Sequence, residues 1–248
     1  MCSSDLLLQQ ALNMSLSRFP TYKVAMRKGM FWRYLEPNNR PGPYVQPDIK
    51  NPCMPMHFKS NNRYLIRVYY YHNRISLEAH HSLGDGTGGM CLLQTLTATY
   101  LQLKGHPIPP SGFVLDINEK PHPEELEDAY MRYANAQVRP PRPAEKTYRV
   151  RGTKEPFYTL NIVDGVLSVQ EVMTVARKYH ASITEYLNAV LLYALLQKQS
   201  KEFHLKQYPV RIAMPVNLRR FFPSRTLRNF ITMVYPSIDP RQIGRAHV

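Results

Sequence analysis

The sequence is poor in cysteine. Only Cys2, Cys53 and Cys91 occur in 248 residues, too few and too scattered for a disulfide framework or a zinc site, and they read as small buried or half-buried thiols. Long hydrophobic runs are also missing. No stretch reaches the roughly 18 consecutive apolar residues that span a bilayer, and the N-terminus lacks a basic region followed by an apolar one. We therefore expect a cytoplasmic chain with no membrane span. Acidic residues are scarce beside basic ones, 18 against 32, for a net charge of +14. The cations are nevertheless spread thinly. Their densest groups, Arg139 to Arg151 and Arg211 to Arg228, accompany no nucleic-acid motif and no aromatic stacking platform. This leaves a solvated basic surface and, behind it, an attraction for an anionic small substrate such as one carrying phosphates. With 44% hydrophobic residues, the chain can bury one large core or two modest ones.

The two ends read differently from the middle. Cys2-Ser3-Ser4-Asp5 can be encoded TGC TCT TCC GAT, whose reverse complement, ATC GGA AGA GCA, encodes the Ile-Gly-Arg-Ala of residues 243–246. Matching reverse-complement ends are expected when one synthetic adapter flanks a DNA insert on both sides. Residues 1–6 and 242–248 are therefore expected to be adapter-derived, and the natural segment between them to be an internal fragment.

Between those ends, residues 7–16 carry apolar positions at helical spacing, and "RFP" stops them. "TYKVAMRKG" and "MFWRYLE" predict two strands joined around Gly29. Residues 37–57, rich in Pro and Asn, predict a long loop. "RYLIRVYYY" and "RISLEAHH" predict a hairpin turning at His72 and Asn73. Residues 90–103 predict an apolar-faced helix ending at Lys104-Gly105. Residues 106–156 are proline-dense and charged, broken by a helical pattern over 124–133, and read as a linker. Beyond it, "FYTLNIVDG" predicts a strand and residues 168–179 a helix. Ser182 with Glu185 predicts a capping box for a helix through about Lys198. "YPVRIAMPV" and "NFITMVYP" predict the closing strands. The fold class is α+β, an α/β two-layer sandwich, with a first unit over 7–145 that includes the linker and a second over 146–241.

"AHHSLGDGTGGM", residues 79–90, carries two overlapping signatures. Gly84-x-Gly86-x-x-Gly89 has the spacing of a dinucleotide-binding loop, and "GFVLD" offers a following strand that ends in Asp116. Against it, four residues separate the preceding strand from the first glycine, a hairpin precedes the unit, and "KGHPIPPSG" is awkward before a central strand. The other signature is H-H-x-x-x-D-G, from His80 to Gly86. An imidazole at a strand end beside glycines can point into a cleft and act as a general base. Asp85 then either holds the turn or orients the ring, and Gly84 and Gly86 permit a close backbone. No third metal ligand stands at recognisable spacing.

This motif resembles the active-site motif of the chloramphenicol acetyltransferase-like superfamily, which includes condensation domains and coenzyme A-dependent acyltransferases. "LLQQALNMSLSRFPTYKVAMRKGMFWRYLE" and "IAMPVNLRRFFPSRTLRNFITMVYP" extend the resemblance to the bacterial alcohol acetyltransferase-like branch. The resemblance implies two similar α/β units with the catalytic His in a channel between them, the first unit nearly complete here and the second truncated, so that an acyltransferase is expected whose segment as given is inactive alone. It implies His81 as the catalytic base and His80 as structural. Asp85 would be architectural, paired with a basic residue of an early strand, at the position of Lys23 or else Arg27. Acyl coenzyme A is the implied co-substrate, with no bound cofactor or metal, and a small-molecule alcohol is the acceptor. The alternative is a condensation-type domain that takes its thioester from a carrier protein.

Overall fold

Leu8, Ala11, Leu12 and Leu16 fall at three- and four-residue intervals, and all four are buried, so helix α1 (Ser3–Arg18) presents one apolar stripe. The structure, a computed structural model, describes residues 3–49, 52–134, 145–157, 159–202 and 207–242. Helix α1 starts inside the segment expected to be adapter-derived, and there the Asp5 carboxylate accepts a hydrogen bond from the Tyr70 hydroxyl at 3.0 Å. Residues 1, 2 and 243–248 lie outside the described residues.

The described residues form two compact units. One comprises residues up to 134 together with Asn217–Ile231, and the other comprises the residues between them and those after 231. The units are thus interleaved in sequence, in contrast to the consecutive division into 7–145 and 146–241.

In the first unit β1 (Val24–Lys28) and β2 (Arg33–Pro37) pair antiparallel around Gly29. The expected loop contains a short strand, β3 (Val45–Pro47), parallel to β4 (Ile66–Tyr71). Strand β4 also pairs antiparallel with β5 (Arg74–Ala79), and Tyr71 lies opposite Arg74. His72, at φ 47°, supplies the left-handed position of that two-residue turn. Helix α2 (Gly86–Leu103) starts four residues earlier than its apolar periodicity suggests and ends before Gly105, at φ 88°. Helices α1 and α2 pack on each other, and their stripes meet Tyr64, Leu65, Ile66 and Val68 around Leu92 and Leu96. Each such leucine contributes roughly 1.5–3 kcal/mol by leaving water.

Residues 106–134 are packed into this unit and do not act as a linker. They include α3 (Pro123–Leu126) and α4 (Ala129–Tyr133). Arg18 of α1 grips Glu125 of α3 through two parallel hydrogen bonds of 2.5 and 2.9 Å, and its Nε donates to the Asp116 carbonyl. The two short helices carry local caps, from His122 and Asp128, and the rest of the segment is held by distant partners such as this fork and the Thr95 hydroxyl, which accepts from the Leu115 N–H.

In the second unit α5 (Val169–Lys178) is capped by Ser168, and α6 (Ile183–Ser200) opens on the full Ser182–Glu185 capping box. Strands β6 (Val210–Arg211), β7 (Met214–Asn217), β8 (Ile231–Val234) and β9 (Ser237–Ile238) pair as β6–β9 and β7–β8. "FYTLNIVDG" contains no strand among its described residues, and Val163 is 95% exposed. An extended apolar stretch becomes a strand only beside an edge that completes its backbone hydrogen bonds. The architecture is a mixture of helices and small sheets. Among the described residues, no helix is long and apolar enough to cross a membrane.

Candidate active site

The turn between β5 and α2, residues 80–85, places both histidines and the aspartate of the motif. Its geometry is set by Asp85, the N-cap of α2. One carboxylate oxygen accepts from the backbone N–H groups of Thr87 (3.0 Å) and Gly88 (3.3 Å), which would otherwise be orphan donors of the first helical turn. The other accepts from Arg219 Nη1 (2.7 Å) and from the Phe230 N–H (2.9 Å). With its side chain 1% exposed, Asp85 is a buried carboxylate with four donors. None of them is the His81 ring, so the carboxylate holds the turn and does not orient the imidazole.

Arg219 is itself fixed. Its Nε and Nη2 donate to the Thr226 carbonyl, Nη2 also donates to the Arg228 carbonyl, and the guanidinium lies over the Phe230 ring. This corrects the expected pairing. Among the described residues Lys23 makes no ion pair, and Arg27 pairs with Glu36 on the neighbouring strand. The basic partner of the motif comes from the returning segment Asn217–Ile231 and not from an early strand, and it reaches Asp85 through Nη1 alone. That segment touches the motif at further points. Asn217 Nδ2 donates to Thr87 Oγ1 (3.3 Å), and Asn229 Nδ2 donates to the His81 carbonyl (2.7 Å).

The His81 side chain is exposed, and its backbone is pinned by Asn229. His80 is also exposed. Its backbone N–H donates to the Leu65 carbonyl (2.8 Å), its Nδ1 sits 2.8 Å from Ser82 Oγ, and its ring meets Phe58 edge-on.

The glycines divide unexpectedly. A Cβ on Gly84 would lie 2.6 Å from both the Leu227 carbonyl and the Tyr22 hydroxyl, and one on Gly88 would collide with the same two groups, whereas Gly86 and Gly89 face open space. Close approach is therefore required at Gly84 and Gly88, and not at Gly86 as expected. The dinucleotide reading fails on the same geometry. The α2 N-terminus that would cradle a phosphate is filled by Asp85, β5 runs antiparallel to its neighbour, and "GFVLD" forms a tight turn with a lone Ser111–Val114 bridge. Cys91, further along α2, is buried, and burial pushes its thiol up to about 11. Burial and the nearby Asp85 carboxylate also raise the Tyr22 phenol. Among the described residues, no group of three or more His, Cys, Asp or Glu side chains is placed to hold a metal ion.

Arg219 and Asn229 are the two functional candidates that local reading misses. They lie 134 and 148 positions from their partners, and their only signal is that both fall in "PVNLRRFFPSRTLRNF", the second stretch carrying the family resemblance.

Residues 146–231 match the family model for alcohol acetyltransferase, a span that holds Arg219 and Asn229 but not the histidine motif. No curated protein matches the sequence significantly. Among solved structures, polyketide synthase associated protein 5 from Mycobacterium tuberculosis matches with TM-score 0.55 at 17% identity, over 94% of this chain and 60% of that one. F. sporotrichioides TRI101, solved in complex with coenzyme A and T-2, matches with TM-score 0.50 at 11% identity, again over 94% and 60%. The chain thus spans about three fifths of the length of these structures, and at such identities the likeness is one of fold.

Proposed function

From this alcohol acetyltransferase-like sequence, we propose that the protein is an acyltransferase of chloramphenicol acetyltransferase-like fold. It moves an acyl group from a coenzyme A thioester to an alcohol, with His81 as general base. One observation carries the reading. The four donors around Asp85 engage both carboxylate oxygens and so remove that residue from proton transfer. The His81 imidazole is left exposed on a turn held from both sides of the sequence.

The chemistry follows directly. Neutral His81 takes the proton of the acceptor hydroxyl as its oxygen attacks the thioester carbonyl. The tetrahedral intermediate collapses with loss of the C–S bond, and the imidazolium protonates the departing thiolate, so no acyl-enzyme is required. Asp85, Arg219 and Asn229 act as positioning residues that keep the turn in one conformation. His80 contributes to the same turn, and Gly84 and Gly88 let Leu227 approach it.

The test follows release of free thiol when the chain, extended through the rest of its second unit, is given acetyl coenzyme A and a panel of alcohols. Turnover is expected and should fall by roughly 10²–10⁴ in His81→Ala. Unchanged turnover in that variant would remove His81 from the mechanism.

A further inference from the structure

The β1–β2 hairpin ends in Met30, Phe31 and Trp32, whose side chains are 83%, 84% and 66% exposed. Single exposed apolar residues are ordinary, but three large ones in succession at one apex call for a partner. The hairpin is paired up to its tip. The Gly29 N–H donates to the Trp32 carbonyl at 2.7 Å, and Lys28 stands opposite Arg33 on the last rung of the ladder. Its base is anchored where Ala25, 2% exposed, bridges to Tyr64 in the core. The apex is therefore displayed by an ordered element.

A second observation lies just below the apex. Lys28 and Arg33, both exposed, face each other directly across the ladder. Like charges in that position destabilise a strand pair. Neither has an acidic partner among the described residues, and the one hydrogen bond from the Arg33 side chain goes to the Met26 sulfur. Further down the hairpin the cation is compensated, Arg27 by Glu36, so the unpaired charge is concentrated at the rung next to the apex. An apolar apex above an uncompensated cationic collar matches a lipid interface, where Phe and Met enter the acyl boundary, Trp sits at headgroup level and cations meet anionic phosphates. The convex apex also differs from the positively charged groove with stacking platforms that single-stranded nucleic acid requires.

We infer that the tip of the β1–β2 hairpin is a peripheral docking wedge for a bilayer surface rich in anionic phospholipid. The inference stands apart from the acyl-transfer reading, because nothing in it depends on His81.

Trp32 is the only tryptophan in the chain, so its emission reports on the tip alone. Vesicles of mixed phosphatidylglycerol and phosphatidylcholine, titrated into the full chain, are expected to shift Trp32 emission to the blue. Acyl-chain-brominated lipid should quench it, and added salt should weaken the effect. The double variant M30S/F31S, altered only at exposed positions, should lose the response while its far-UV circular dichroism stays unchanged. The variant K28S/R33S should bind about thirtyfold more weakly, because each cation near an anionic surface carries a several-fold share of the affinity. The inference is overturned by no shift with anionic vesicles, by an equal shift with pure phosphatidylcholine, or by an undiminished response in M30S/F31S. An equal blue shift with a single-stranded oligonucleotide would likewise overturn it, in favour of a nucleic-acid surface.

Discussion

Arg219 donates to Asp85 at 2.7 Å across 134 positions of sequence, with side chains 11% and 1% exposed. The pair ties the N-cap of α2 to a segment that reaches the first unit only after the chain has built most of the second. The conformation of the candidate catalytic turn is therefore not a local property of "HHSLGDG".

Asp85 and Arg219 should behave as one unit in stability measurements. Arg219→Met leaves a buried carboxylate short of its counter-ion and is expected to cost about 3–5 kcal/mol. Asp85→Asn loses the ion pair but keeps an acceptor for the helix amides, and should cost roughly 1–3 kcal/mol. Denaturant midpoints of the two singles and the double then give a coupling energy of at least about 1 kcal/mol. Additive losses would show that the contact contributes little. Arg219→Lys should fall between wild type and Arg219→Met, because an ammonium keeps the charge but cannot also reach the Thr226 and Arg228 carbonyls.

Asn229→Ala separates positioning from stability. The substitution removes one hydrogen bond to the His81 carbonyl, so unfolding free energy should fall by only about 0.5–1.5 kcal/mol. The acyl-transfer rate should fall further than that loss implies, chiefly in kcat. The comparison variant His81→Ala changes an exposed side chain and should leave stability within about 0.5 kcal/mol while lowering transfer by roughly 10²–10⁴. A rise in KM with kcat unchanged for Asn229→Ala would contradict the positioning role.

Much of the fold is legible in the residues themselves, because its causes are local. Ser182 and Glu185 specify their own capping box, Gly105 ends α2 through its left-handed backbone, and the period-two pattern of β4 and β5 with a two-residue turn fixes their register. The start of α2 is local too, since Asp85 caps the N–H groups of Thr87 and Gly88, although the apolar periodicity alone starts later. Local reading fails where the cause is distant: Arg18 reaches Glu125 across 107 positions, and the partner of Asp85 lies in the returning segment. The resemblance points to a cation at Lys23, but position along the chain carries no information about which of many cations a buried carboxylate meets.

The Arg18–Glu125 fork makes a prediction about acid. Burial alone raises the Glu125 carboxyl, but the Arg18 hydrogen bonds and charge, with Arg225 nearby, outweigh it and hold the carboxyl below its ordinary range. A carboxylate whose pKa is lower in the folded than in the unfolded state stabilises the fold fully above its unfolded value of about 4.3 and loses that contribution as pH falls through the folded value. Stability should therefore drop on acidification below about pH 4–5, and Glu125→Gln should flatten this part of the profile while lowering stability at neutral pH. Denaturation midpoints taken between pH 3 and pH 7 check it, and a parallel acid limb in the variant would place the sensitive group elsewhere.

The glycines give the sharpest separation between the two signatures that overlap at the motif. A dinucleotide-binding loop needs Gly84 for its tight turn, Gly86 for approach of the backbone to the pyrophosphate and Gly89 for close helix–strand packing. The packing seen here needs Gly84 and Gly88, against which Leu227 and Tyr22 are set, and leaves space beside Gly86 and Gly89. Gly89→Ala, inside α2, should therefore stabilise the protein by up to about 1 kcal/mol through helix propensity, and Gly86→Ala should be close to neutral. Gly88→Ala should be strongly destabilising despite the same gain in propensity, because the group it meets includes the backbone carbonyl of Leu227, which cannot swing aside as a side chain can. Gly84→Ala should follow Gly88→Ala for the same reason. Thermal or urea denaturation of the four single variants reads this directly. Loss of stability at Gly86 or Gly89, with Gly88→Ala tolerated, would mean that Leu227 does not lie against the motif, and the placement of Arg219 on Asp85 would fall with it.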